Sequence, residues 1–217
     1  MRLAIGDIHG RIYWKYYLKK DFTEFYFTGD YFDSHNMFCT FTRQYKNFLE
    51  ICERARKDRR LKLCLGNHDY HYLSGVCNQR YSGFQHDNYK RINEVLELNM
   101  DLIEPVRVTA DNYIISHAGV TNYFLNSLGL TKPEDINGAF QKDRNILNFR
   151  GDDIYGDDIT QSPIWIRPRS LFEDALSGYS QIVGHTPMHA VSETATADGK
   201  NKLVFIDTHD VKSAYEF

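Results

Sequence analysis

Five short runs of β-prone residues in this chain each end in a turn that sets Asp, Asn or His beside or near a glycine. The turns read GDIHG at 6–10, GDYFD at 29–33, GNHD at 66–69, SHAG at 116–119 and GHT at 184–186. The runs are LAI at 3–5, FYFT at 25–28, LKLCL at 61–65, YIIS at 113–116 and QIV at 181–183; LVFI at 203–206 reads as a further strand. Several are apolar throughout, as strands covered on both faces are. In an α/β sheet ligands bind beyond the carboxyl ends of the strands, so turns far apart in sequence are expected to meet there. The glycines allow the sharp chain reversals that bring those side chains together.

Between the second and third runs lies FTRQYKNFLEICERARKDRR, where Phe41, Tyr45, Phe48, Cys52 and Ala55 recur at helical spacing and predict one buried face. Strands alternating with helical segments predict an α/β fold. The basic end of this helix lacks interleaved aromatic or glycine residues, so it is read as a solvated face suited to the helix dipole and not as a nucleic-acid surface. With 217 residues, a net charge of −3 and a pI near 6.3, the chain has no global attraction for polyanions, and neither a nucleic acid nor a membrane is expected as a partner. No signal-like segment opens it and no apolar run approaches the roughly 20 residues of a bilayer span, which predicts a soluble, cytoplasmic protein. Cys39, Cys52, Cys64 and Cys77 form no C-x-x-C pair and are read as reduced thiols. One domain over 1–217 is expected, with cap or lid segments at about 74–100 and 129–160.

Singly, each polar turn is ordinary: His9 or His117 reads as a hydrogen-bonded core histidine, Asp7 or Asn67 as a turn former. The set at one end of several strands is what carries information. Oxygen and imidazole donors without thiolate suit manganese, iron or zinc, and a carboxylate shared by two ions suits a dinuclear site.

The ordered set resembles the calcineurin-like metallophosphoesterases, in the branch of serine/threonine protein phosphatases, phage-type protein phosphatases and symmetrical diadenosine tetraphosphatases, from Gly6 to Asp207. The resemblance implies two facing mixed β-sheets flanked by helices, with a dinuclear metal site at the strand ends. It implies that Asp7 and His9 bind the first metal, that Asp30 bridges both, and that Asn67, His117 and His185 complete the second. It makes His68 the general acid for the leaving oxygen, with Asp33 orienting that imidazole, and Arg167 of SPIWIRP the phosphate clamp. His189 and His209 are not ligand positions in this branch. The acidic loop 152–158 is read as hydrated, and the aromatics of QRYSGFQHDNYK as cap packing.

Two positions depart from the branch. Ser34 and His35 stand where Arg-Gly usually follows the second aspartate, which removes a phosphate-clamping arginine, and Asp69 stands in place of a glutamate. The expected activity is metal-dependent hydrolysis of phosphomonoesters, most like a small phage or bacterial serine/threonine protein phosphatase, acting on a phosphoprotein, nucleotide or small phosphoester. The cofactors expected are two divalent ions, manganese first, with iron or zinc as alternatives. A nucleotide or diadenosine tetraphosphate hydrolase is the alternative enzyme, and a weakly active metal-binding scaffold the alternative of another class.

Overall fold

The computed structural model describes residues 1–76, 81–208 and 213–217. All six runs read as strands are strands, within a residue at either end: Arg2–Ile5 (β1), Glu24–Phe27 (β2), Leu61–Cys64 (β3), Tyr113–Ser116 (β6), Ser180–Val183 (β7) and Lys202–Phe205 (β9). The strands that sequence did not reveal are Ile103–Glu104 (β4), Val106–Val108 (β5), Ser192–Ala195 (β8) and Ala214–Glu216 (β10). They are short and lie at sheet edges, where one neighbour suffices and apolar alternation is not required. The helices are Trp14–Tyr17 (α1), Phe41–Lys57 (α2), Asn67–Tyr70 (α3), Tyr89–Glu97 (α4), Asn122–Ser127 (α5), Asp135–Lys142 (α6) and Pro168–Asp174 (α7).

The strands form two five-stranded mixed sheets, ordered β10-β1-β2-β3-β4 and β5-β6-β7-β9-β8. In the first, β1 to β4 run parallel and β10 antiparallel; in the second, β6, β7 and β9 run parallel between antiparallel β5 and β8. The two-residue side-chain period assigns each strand's faces to different layers. Ala4, Tyr26 and Cys64 of the first sheet meet Ile115, Ile182 and Val204 of the second in the seam between sheets. Leu3, Ile5, Phe25, Phe27 and Leu63 point the other way, into the helical layer with Trp14, Phe48 and Ile51. On the far side of the second sheet, Val183, Leu203 and Phe205 pack with Ile166 and Leu171. Burial on both faces explains the nearly continuous apolar runs.

Helix α2 begins where the Thr40 hydroxyl accepts a hydrogen bond from the Arg43 amide, at 3.4 Å. Its buried face is shifted from the expected one. Phe48, Cys52 and Ala55 are buried, but Phe41 and Tyr45 are only half-buried, and Gln44 and Asn47 are buried instead. Asn47 accepts from the Trp14 indole at 3.0 Å and donates to the Arg11 carbonyl at 3.0 Å, so the polar groups have interior partners. Phe41 and Tyr45 lie beneath the Arg91 guanidinium, 4.8 and 5.1 Å from their ring centroids.

The basic end of α2 is laced with ion pairs, Arg54 to Glu50, Arg56 to Asp101 and, just beyond it, Arg60 to Asp58. Cys52 and Cys64 are buried free thiols, each pushed up to about 12 by burial, and Cys39 is half-buried. Cys77 and His209 lie outside the described residues. Tyr81 and Phe84 of the aromatic segment pack on Trp165 and Tyr72, with ring centroids 4.1 and 4.6 Å apart. Among the described residues no helix is long and apolar enough to cross a membrane.

The seam between the sheets sets the relative position of the strand ends, so it should be energetically sensitive. Ile182→Ala is expected to cost about 2–5 kcal/mol in urea unfolding, whereas Ile154→Ala on the exposed loop should stay within about 0.5 kcal/mol of the parent.

Candidate metal centre

Parallel β1, β2 and β3 bring Asp7, Asp30 and Asn67 to one end of the first sheet, and β6 and β7 bring His117 and His185 to the facing end of the second. All six side chains expected as ligands converge and are buried. Among the described residues five non-glycine residues have positive φ, and four of these are His9 (42°), Asp30 (54°), Asp33 (57°) and His185 (64°). Such conformations cost about 1–3 kcal/mol each and collect where a site's geometry is imposed by its surroundings.

Two glycines make the convergence possible by what they lack. A Cβ at Gly66 would overlap Asp30 Oδ1 and the Asp30 amide, and a Cβ at Gly184 would overlap Asp7 Oδ1 and approach Thr28 Oγ1 to 2.7 Å. Each glycine therefore holds a strand end against the carboxylate delivered by another strand. Asp69 joins the same two turns, since its carboxylate accepts from the Tyr31 amide at 2.8 Å and the Gly66 amide at 3.2 Å. That is the use this chain makes of a carboxylate at position 69, and burial pushes its pKa up to about 7.

Backbone carbonyls set the tautomer of the three inward histidines. His9 Nδ1 donates to the Phe32 carbonyl (2.6 Å), His117 Nδ1 to that of Thr28 (3.0 Å) and His185 Nε2 to that of Trp165 (3.1 Å). In each case the other ring nitrogen keeps its lone pair and faces the cluster. Burial pulls the pKa of all three rings down, His117 to about 3, so they stay neutral, the form that ligates metal.

The consequence is a clustering of acceptors. His117 Nε2 lies 2.7 Å from Asn67 Oδ1 and 3.1 Å from His185 Nδ1, and His185 Nδ1 lies 3.1 Å from Asn67 Oδ1. Asp30 Oδ2 is 3.4 Å from the same His117 nitrogen and 3.5 Å from His9 Nε2. With the protons of the three imidazoles already given to carbonyls, lone pairs face lone pairs. Asp7 and Asp30 add buried carboxyls whose pKa values are raised by burial and then by neighbouring carboxylates. Asp7, Asp30 and His117 offer ligand atoms within 4.8 Å of one another. Bound cations would satisfy every one of these acceptors, and the mixed oxygen and nitrogen set, free of thiolate, fits divalent manganese, iron or zinc.

A second cluster differs in kind. Asp33, His68 and His71 also lie within ligand distance of one another, but their atoms pair as donor and acceptor. Asp33 Oδ2 is 3.2 Å from His68 Nδ1 and 2.7 Å from His71 Nε2, and Oδ1 accepts from Tyr72 Oη at 2.6 Å and Gln85 Nε2 at 3.1 Å. Although burial pushes the Asp33 carboxyl up, the bonds from His68 and His71 outweigh it and hold its pKa at about 2. A fixed carboxylate surrounded by donors suits proton handling. His71, Tyr72 and Gln85 were not identified in the sequence; the i, i+3 spacing of His68 in α3 and His71 just past its end was the available signal.

The remaining residues fall around these clusters. Arg167 precedes α7, its Nε donating to the Tyr155 carbonyl at 2.7 Å and its Nη1 to Thr186 Oγ1 at 3.2 Å, beside the His185 carbonyl at 3.5 Å. The loop at 152–158 is thus more than a hydrated acidic segment: it supports Arg167, and Asp157 bonds the Ser170 amide and hydroxyl of α7. His189 is exposed.

If Gly184 is needed for clearance, Gly184→Ala should lose bound metal together with activity. Gly138→Ala, on α6 with no atom near the added carbon, should keep both. Metal analysis of the two purified variants makes the comparison.

A model of the calcineurin-like phosphoesterase family matches residues 2–211. No curated protein sequence matches the chain. A cold-active protein-tyrosine phosphatase of the psychrophile Shewanella sp. has 17% identity and a TM-score of 0.61, over 97% of this chain and 71% of that one. A Saccharomyces cerevisiae protein serine/threonine phosphatase with similarity to human PP5 has 15% identity and a TM-score of 0.54, over 95% of this chain and 67% of that one. At these identities the likeness shows the shared fold. The family match spans nearly the whole chain, and the chain belongs to the calcineurin-like phosphoesterase family.

Proposed function

We propose that the chain hydrolyses phosphomonoesters with the help of two divalent cations. Asp7, His9 and Asp30 would hold the first, Asp30, Asn67, His117 and His185 the second, with manganese the expected metal. Membership of the family makes the chain a hydrolase of phosphoester bonds; the monoester substrate and the residue roles are our reading. The observation that carries it is the cluster of facing lone pairs on Asn67, His117 and His185, beside the buried carboxyls of Asp7 and Asp30. When bound, such cations supply charge to the phosphoryl oxygens and lower the pKa of a water molecule.

The chain's own groups do the rest. His68 stands beside the cluster, its ring centroid 5.3 Å from that of His9 and its amide bonded to Asp30 Oδ1 at 2.9 Å. With Nδ1–H directed at Asp33, the doubly protonated ring would carry a second proton on Nε2 and pass it to the leaving oxygen as the ester P–O bond breaks and water supplies the new oxygen on phosphorus. Asp33 keeps the ring oriented, and the bonds from His71, Tyr72 and Gln85 keep Asp33 itself in place. Arg167, beside His185, supplies a planar cation to the transferred phosphoryl group. In this reading it is the principal clamp, because Ser34 has no charge to offer.

A general acid matters most for a basic leaving group. His68→Asn is expected to lower the rate on alkyl phosphates by about 10² to 10⁴ and to have a much smaller effect on nitrophenyl phosphate, whose leaving group departs without a proton. Equal losses on both substrates, with the chemical step rate-limiting, would remove His68 from the role.

A further inference from the structure

The residues not absorbed by this chemistry include a groove that opens beside His9. It has a volume of about 310 Å³ and is lined by His9, Arg11, Ser34, His35, Cys39 and Arg43 among others, with no carboxylate among its described lining residues. In a chain whose net charge is −3, a groove with two guanidiniums and no acid among its described lining residues is a local departure.

Its position follows from three rings. The centroids of His9, His35 and His68 lie 5.3, 6.0 and 6.0 Å apart, so the two histidines that line the groove flank the proposed acid. Arg167, in contrast, is tied to His185 and Thr186. The groove therefore extends from the His68 side, toward which the leaving group departs.

The two cations are presented differently. Arg11 is fixed: its Nη2 donates to the Asp7 carbonyl at 2.6 Å and lies 3.5 Å from Asp207, and its Nε donates to the Ile8 carbonyl at 3.2 Å. Among the described residues no hydrogen bond or ion pair engages the exposed Arg43 guanidinium. Arg43 also occupies the first turn of α2, where no acidic residue is present and where the helix dipole favours an acid over a base. A cation placed against local preference at the mouth of a groove marks a position kept for something other than helix stability.

We propose that this groove binds a second anionic group carried on the leaving group of the substrate, a phosphate or a carboxylate, through Arg11 and Arg43. The inference rests on His68 acting as the leaving-group acid. It makes Arg43 a specificity determinant: substrates with an anion beyond the scissile oxygen are preferred over neutral ones.

Arg43→Glu tests this without endangering the fold, because it completes a Thr-x-x-Glu cap with Thr40 at the start of α2. With manganese present, kcat/KM is measured for parent and variant on two substrate pairs. One is a phosphoserine peptide with glutamates after the phosphoserine and its glutamine counterpart; the other is inorganic pyrophosphate and phenyl phosphate. The parent should favour the anionic member of at least one pair, and the variant should lose roughly fivefold or more on that member while staying within about twofold on the neutral one. The pair that responds identifies the source of the anion. A parent without preference in either pair, or a variant that loses equally on both members, would overturn the proposal. If the parent turns over none of the four, the phosphomonoesterase reading fails instead. Calorimetric binding of the two peptides then decides the groove: tighter binding of the acidic peptide, abolished in Arg43→Glu, upholds it, and equal binding rejects it.

Discussion

Three acceptor atoms, Asn67 Oδ1, His117 Nε2 and His185 Nδ1, face one another within 3.1 Å in the interior, and much of the structure serves to put them there. The carbonyls of Thr28 and Phe32, in the turn after β2, and of Trp165 take the remaining imidazole protons. Parallel strands from two sheets supply the side chains, and glycines at 66 and 184 leave the space that the opposing carboxylates fill. Left unneutralised, such an arrangement opposes folding, since buried polar atoms need partners and buried carboxylates need positive charge. Left-handed backbone at His9, Asp30 and His185 adds further cost. The packed seam between the sheets offsets these terms, and so would the cations for which the acceptors are suited.

The second histidine cluster solves a different problem with similar residues. Around Asp33 every close contact pairs a donor with an acceptor, which keeps the carboxylate ionised and the His68 ring oriented. One turn thus delivers Asp30 to the cluster of facing acceptors and Asp33 to the one in which donors and acceptors pair, three residues apart on opposite sides of a buried Tyr-Phe pair. Tyr81 and Phe84 pack against His71 and Tyr72, so the segment that covers this region also stiffens the groups behind Asp33.

The legible parts of the sequence were those where one local pattern has one physical cause. Strands buried on both faces must be apolar, so six were visible, and a polar residue with glycine at a strand end is a pattern few other demands produce. The site was legible as residue types at strand ends and, through the family resemblance, as expected roles. Edge strands were not legible: Ser192–Ala195 is exposed at all four positions and carries no periodic signal. The α2 face was misjudged because apolar spacing alone cannot reveal that Gln44 and Asn47 find interior hydrogen-bond partners while Arg91 covers Phe41 and Tyr45. His71, Tyr72 and Gln85 escaped notice because their partner, Asp33, lies about forty to fifty residues away in sequence and only the fold joins them.

The central claim is that these acceptors hold two cations, with Asp30 touching both. The most direct test is the metal content of the purified protein, the Asp30→Asn variant and the His117→Ala variant after equilibration with manganese. The account predicts two equivalents per chain for the parent, loss of most of both for Asp30→Asn, and retention of about one for His117→Ala. Full and equal occupancy in all three proteins would contradict it.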